Sequence, residues 1–420
     1  MLNKRYAAHV GIAIAATAAV LLAGCSAGGG EASEDGEVTL TLSTFGNFGY
    51  SDELIQKFED EHPGITVQHD IAPGASEARQ NTFTKLAAGS GLSDVIGVEI
   101  GWTTELREYA DKFYPATESD FGPWVKFQTD PVTTESGELY AYGVATGPEA
   151  ICYRSDLLQA AGLPTDPAEV AGLFGSWDDY FAAGEQYAAN GGKGWFDSAV
   201  TAFRAQIEQL EYPYQDEDGE ITATSPEIEE IFKTTLGVAP QLSAHLEPFT
   251  DDWAAATANS GFATMACPSW MLGLVEGNAP DVEGWRLADA FPGGGGNWGG
   301  SFLAVPKQSQ HPEEAALLAS WLTAPEQQIE AFKVAGPFPS REEAFDLPAL
   351  TEVTNPYFGD QAVGEIYVNR SEAIDTVAYK GPLFAQIEDL VTNAIVRADT
   401  GKQSVDDAWN QFVDEVNGLN

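Results

Sequence analysis

"GELYAYGVATGPEAICYRSDLLQAAGLP", residues Gly137 to Pro164, decides how the rest of the chain is read. Gly137 to Gly143 reads as a hairpin-like stretch, and Ala150 to Tyr153 predicts a short strand. Asp156 to Ala161 predicts a helix, because Gly162 and Pro164 are the residues that stop one. Strands and helices alternate on the N-terminal side too. Val38, Leu40 and Leu42 fall on one side of a strand over Glu37–Leu42. Ser51 is placed to cap a helix with Leu54, Ile55 and Phe58 on one face, and Pro63-Gly64 ends it. Ile65–Ile71 is the next strand, followed by a helix over Ala75–Ala88 and a short buried strand over Ser93–Val98. A strand–helix–strand start predicts an α/β fold. Towards the C-terminus, Trp177–Ala189 reads as a helix and Phe196–Ala258 as mainly helical, with a turn at Asp218-Gly219. Phe262–Ala266 and Phe302–Val305 read as strands, and His311–Leu322 and most of Pro382–Leu419 as helix. There is no internal repeat.

A chain of 420 residues is too long for one ordinary core and predicts two domains. Met1–Gly24 has Lys4 and Arg5 ahead of an uncharged run rich in Ala, Val, Ile and Leu, which predicts a signal peptide, too short for a membrane span. The run ends Leu22-Ala23-Gly24-Cys25, which resembles a bacterial lipobox. The resemblance implies cleavage before Cys25 and lipidation of its thiol, palmitate included. Residues 25–36 are rich in Gly, Ser and acidic side chains and predict a flexible tether. The expectation is an exported protein, lipid-anchored through Cys25 to the outer face of the cell membrane. The formal net charge is −44, and loss of Lys4 and Arg5 with the leader takes it to −46. That sign excludes nucleic acid as a partner. The five histidines show no metal-ligand spacing, and neither metal nor cofactor is expected. Cys152 and Cys267 remain, as two buried thiols or as a disulfide of an oxidising compartment.

In their order, the blocks of this chain resemble the extracellular solute-binding proteins of ABC importers, in the sugar-binding family that includes maltose-binding protein. "FEDEHPGITV" (58–67), "KLAAGSGLSDVIGVE" (85–99), the opening stretch with "SWDDYFAAGEQ" (176–186), "FATMACPSWM" (262–271) and "FLAVPKQSQHPEEAALLASWLTAPEQQ" (302–328) carry the resemblance. Leu92-Ser93 departs from the small-Pro pair usual in that family. The resemblance implies a two-lobed periplasmic-binding-protein-like fold, with discontinuous lobes and an interlobe ligand cleft. Lobe one is expected at 37–146 and 302–336, and lobe two at 148–299 and 340–420. Three hinge crossings are expected near Ala145–Glu149, Trp298–Phe302 and Gly336–Ser340. It implies a monomer that does no chemistry, captures a carbohydrate by hinge closure and delivers it to a membrane permease. An oligosaccharide is the expected ligand. A lipid-anchored glycoside hydrolase is the alternative, and a surface adhesion or sensor module a third reading.

Gly294 to Gly299 spells GxGxxG, but it opens into a strand instead of a helix, so it does not predict a dinucleotide site. A calcium loop centred on Gly219 would place Tyr214 and Ser225 at its acidic ligand positions, which excludes it. Neither GxSxG nor HExxH occurs. The aromatic residues say more. A sugar ring has an apolar face edged by hydroxyls, and its site needs an aromatic plate with polar side chains around it. Trp102, Trp195, Trp270 and Trp298 sit beside Gly, Pro or polar residues, as plates or as packing groups. The resemblance places Trp270 and Trp195 at sugar-stacking positions and Trp298 at the second crossing, facing the cleft. Glu99 and Trp102 follow a strand at its carboxyl end, and Phe45, Asn47 and Phe48 follow the first strand, the positions where open α/β sheets bind ligands. Asp197 is a candidate acceptor from sugar hydroxyls, and Arg341 a candidate donor or one half of a surface salt bridge. The same placement puts Cys152 and Cys267 on neighbouring strands of lobe two, where a bond is permitted.

Overall fold

The computed structural model describes residues 37–116 and 123–419. The expected leader, the expected tether and Cys25 lie outside the described residues. Residues Val38–Asn420 form one compact unit.

Among the described residues eight strands order the fold: β1 (Val38–Phe45), β2 (Ile65–Ala72), β3 (Val95–Glu99), β4 (Tyr142–Arg154), β5 (Thr264–Pro268), β6 (Trp285–Ala288), β7 (Asn297–Ala304) and β8 (Phe338–Pro339). The hydrogen-bonded order is β2-β1-β3-β7-β4-β5, with β6 and β8 also on β4. β1 pairs in parallel with β2 and β3, with Val38 opposite Ile65 and Leu42 opposite Val95. The remaining pairings are antiparallel.

Helices of eight residues or more, among the described residues, are α1 (Asp52–Glu61), α2 (Ala75–Ala88), α3 (Trp177–Ala189), α4 (Ala199–Ile207), α5 (Pro226–Leu242), α6 (Asp251–Ala258), α7 (Met271–Asn278), α8 (Pro312–Leu322), α9 (Pro325–Ala335), α10 (Val363–Glu372), α11 (Phe384–Asp399) and α12 (Val405–Asn417). The sequence locates α2 and α3 to the residue. The Ser51 hydroxyl accepts from the Leu54 N–H at 3.2 Å and starts α1, whose Leu54, Ile55 and Phe58 are buried.

β4 is the element the sequence under-reads, at four residues expected against thirteen observed. All thirteen are buried, so no in–out alternation marks the strand. Gly143, Gly147 and Pro148 look like breakers, yet here they mark two register shifts against β7. Residues Tyr142–Pro148 pair with β7 and β8, whereas Glu149–Arg154 pair with β5 and β6. One strand therefore belongs to two sheets, and the change falls between Pro148 and Glu149. β7 likewise begins five residues before the expected Phe302, inside the glycine run. Gly299 (φ +94°) and Gly300 (φ +157°) provide backbone that other residues rarely adopt. A Cβ on Gly147 would stand 1.9 Å from the Trp298 carbonyl oxygen, so the two strands approach there as only glycine permits. β8 lies against the same place, with Pro339 opposite Ala145 and Phe338 opposite Thr146.

Apolar side chains form separate cores on the two sides of this junction. Leu40, Leu42, Phe58, Val95, Leu303 and Leu318 pack together under β1 and β3. Cys152, Cys267, Trp253, Trp285 and Tyr367 pack around β4 and β5. The Cys152 and Cys267 sulfurs form a disulfide across these two strands. Cys267 sits opposite Ala150 and Cys152 opposite Met265, a diagonal pair on one face.

Candidate functional site

β3 ends at Glu99, and the chain turns at once into a 3₁₀ turn, Ile100–Trp102. The Glu99 carboxylate caps that turn, accepting from the Gly101 N–H at 2.7 Å. Its side chain thereby points off the carboxyl end of the sheet, where ligands of open α/β sheets bind. Burial pushes its carboxyl up to about 7, against the smaller opposing effects of that hydrogen bond and of Arg204 and Lys380.

Glu99 and Trp102 line a cavity of about 310 Å³. Its other wall comes from far along the chain: Arg204 of α4, Gly299 of β7, Lys380, and Glu388 of α11. Arg204 donates to Glu388 at 2.9 Å, lies 3.6 Å from Glu208, and holds its guanidinium 4.8 Å from the centre of the Trp298 ring. The Lys380 ammonium forms a buried ion pair with Glu208 and lies 4.2 Å from the Phe384 ring centre. The Thr104 hydroxyl donates to the Lys380 carbonyl, which ties the segment before α11 to the segment after β3. Behind the cavity, at the change of sheet on β4, stands Glu149. It is 0 % exposed, and neither carboxylate oxygen has a hydrogen-bond partner among the described residues. Burial first, then the Glu208 charge, hold its carboxyl well above the usual carboxylate range.

Of the aromatic candidates Trp102 lines the cavity; Phe45 lies beside it, and Trp270 and Trp298 stand across the junction outside the lining, with Trp102 and Trp298 almost wholly buried. Phe45 is half-buried, with its ring 6.1 Å from Trp102 and 4.9 Å from Phe48. Across the junction Trp270 and Trp298 meet edge to face at 5.4 Å, and the Trp270 indole donates to the Trp298 carbonyl at 2.9 Å. Phe249, which the sequence reading passed over, lies 6.2 Å from Trp270 and 6.1 Å from Trp298.

Five candidates are placed elsewhere or used internally. Trp195 is 0 % exposed and packs among Phe174, Tyr180 and Tyr187; its neighbours Gly194 and Phe196 made it look like a loop residue, but a core encloses it. Asp197 is buried, and its two oxygens accept from the Thr201 hydroxyl at 2.6 Å and the Trp253 indole at 2.9 Å. Arg341 is buried at 0 % exposure with its guanidinium 3.5 Å from the Trp124 ring centre and its Nε donating to the Thr323 carbonyl at 3.1 Å. Phe48 turns into the core beneath β1 and meets Tyr50. Asn47 is exposed, and its side-chain oxygen accepts from the Gly49 N–H at 3.0 Å, an Asx turn.

Arg204, Lys380 and Glu388 were not legible in the sequence. Arg204 and Glu208 at i,i+4 look like any solvated helix pair. A second cavity, about 380 Å³, lies between α2 and the sheet and is lined in part by Ser43, Thr44, Asn81 and Thr82. It holds none of the candidate residues and does not reach the strand shared by the two sheets. Both cavities have charged lining and lie at carboxyl ends of parallel strands; the first differs in bringing the candidates Glu99 and Trp102 together with Arg204, Gly299 and Lys380.

Residues 53–356 match the family described as bacterial extracellular solute-binding protein. A solved structure titled extracellular solute-binding protein family 1 is 41% identical, with a TM-score of 0.82 over 91% of this chain and 99% of that one. The arabinooligosaccharide-binding protein of Halalkalibacterium halodurans is 22% identical over 347 residues, 77% of this chain and 76% of its own length. An ABC transporter associated binding protein from B. animalis subsp. lactis, solved with beta-1,6-galactobiose, is 19% identical, with a TM-score of 0.73 over 90% of this chain and 96% of its own.

Proposed function

Because this chain belongs to the bacterial extracellular solute-binding proteins, we propose that it captures a carbohydrate, as an oligosaccharide, for an ABC importer. The observation that carries this reading is the cavity at the carboxyl end of β3. There Glu99 and Trp102 face Arg204, Gly299 and Lys380 across the junction of the two sheets. Charged side chains rigidly held by ion pairs present fixed donors and acceptors to hydroxyls, and the partly exposed rings of Phe45 and Trp270 adjoin them. The names of two relatives, one binding arabino-oligosaccharides and one holding a galactobiose, support the same ligand class.

In this reading the two sheets mark two lobes, 37–146 with 302–336 and 148–299 with 340–420. β4, β7 and the segment at β8 are the crossings between them. Closure about these crossings buries the ligand and gives a membrane permease its signal to receive it. The mature protein works as a monomer without catalysis, exported and tethered to the outer face of the cell membrane by lipid on Cys25. Ligand contacts come from Phe45, Glu99, Trp102, Trp270 and Trp298 of the sequence candidates, joined by Arg204 and Lys380.

Isothermal titration of residues 26–420 against arabino-oligosaccharides, β-1,6-galactobiose and maltose, with product analysis, tests this. Micromolar or tighter binding without turnover is the expected result. Turnover of a bound sugar would overturn it in favour of a hydrolase, and no binding by any of them would remove the carbohydrate assignment.

A further inference from the structure

Phe249 is built to be seen. It is 53% exposed, in a chain whose large aromatic side chains are mostly buried. Its backbone stands at φ +63°, a conformation that is a true outlier for a bulky residue. The loop of 243–250 imposes that conformation from both sides. At its start, the Ala244 N–H donates to the Phe196 carbonyl at 2.8 Å. His245, itself at φ +56°, meets the Asp399 carboxylate at 2.8 Å. At its end, the Thr250 hydroxyl accepts from the Trp253 N–H at 3.3 Å and starts α6. Backbone strain held by surrounding hydrogen bonds points to a side chain whose placement matters. The ring is placed against three indoles: Trp253 at 5.5 Å, Trp298 at 6.1 Å and Trp270 at 6.2 Å.

Phe249 does not line the cavity. It is joined to it through Trp298, over which the cavity-lining Arg204 is stacked. The cavity itself, at about 310 Å³, is at the small end of small-molecule sites. A ligand that fills it and also rests on Phe249 must extend beyond it. Resting on the carbohydrate reading above, we infer that Phe249 is the platform of an outer subsite. It carries the ring of a sugar chain that projects out of the cavity past Trp298, and so selects for ligand length. The competing role, a cover over Trp253 and its bond to Asp197, would make Phe249 a stability residue.

The test uses residues 26–420 and three length series: arabinose to arabinotriose, galactose to β-1,6-galactobiose, and glucose to maltotriose. Each is titrated calorimetrically into wild type, Phe249→Ala and Phe249→Tyr, and Tm is measured for each protein and for Phe249→Gly. The expected result is a Kd raised about tenfold by Phe249→Ala for the longest ligand that binds. The shortest binder in that series keeps its Kd, and Phe249→Tyr restores the longer one. Phe249→Gly leaves Tm in place or raises it, because glycine accepts the positive φ without strain. An equal loss for all lengths, no loss at any length, or a Tm lowered by every substitution would overturn the subsite. Failure of wild type to bind any of the series overturns the carbohydrate reading itself, and the subsite falls with it.

Discussion

Replacing Glu99 by Gln removes a carboxyl that the fold keeps partly out of water, and the consequence has a definite sign. The folded protein holds Glu99 at about 7 against an ordinary value of 4.5. Between these two pH values the folded chain binds the proton and the unfolded chain releases it. Stability contributed by the protonated acid is therefore complete below pH 4.5 and is lost as pH rises to about 7. At ~1.4 kcal/mol per pH unit, the full interval corresponds to about 3 kcal/mol. Water reaches the carboxylate from the cavity, which reduces this to about 2 kcal/mol. Urea denaturation of wild type and Glu99→Gln at pH 4.5, 6, 7 and 8 isolates the group, since the other carboxylates titrate in both proteins. The stability difference between them is expected to grow by about 2 kcal/mol in favour of Gln from pH 4.5 to 8, most of it between pH 5 and 7. Saccharide affinity should move the other way in wild type, rising through pH 7 as the ionised oxygen becomes an acceptor for hydroxyls, and should stay flat in Glu99→Gln. A stability difference that is constant across this range would refute the assignment of Glu99 as a desolvated carboxyl at the cavity wall.

The disulfide and the core tryptophan give sharper structural tests. Cys152 and Cys267 are 115 residues apart, so the Cys152→Ala, Cys267→Ala protein should lose about 5 kcal/mol and, for a unit spanning Val38–Asn420, about 6 °C in Tm; a scan showing less than about 2 °C would contradict it. Trp195→Ala should cost about 3–5 kcal/mol in denaturant while leaving the Kd of the folded protein unchanged, since Trp195 is packed inside the Phe174–Tyr180–Tyr187 cluster; a weakened Kd without loss of stability would return it to the binding site.

The sequence by itself determined the local elements and the family of the fold. Ser51 ahead of Leu54, Ile55 and Phe58 is enough to place α1, because a cap and a spaced apolar face act within a few residues. The order of blocks identified a two-lobed binding protein, and the family match and the 41% identical structure agree. Where an element is buried all round, as β4 is, periodicity vanishes and the strand reads short. Side-chain fate was less legible still. A tryptophan beside a glycine reads alike whether it lines a site, as Trp102 does beside Glu99, or fills a core, as Trp195 does. Only the tertiary structure decided which carboxylates and cations meet. Glu99, Arg204 and Lys380 are separated by more than 100 residues from one to the next, and no local pattern records their convergence. Capping and helical periodicity are local interactions and can be read along the chain. Burial, charge pairing and a cleft are sums over neighbours that exist only once the chain has folded.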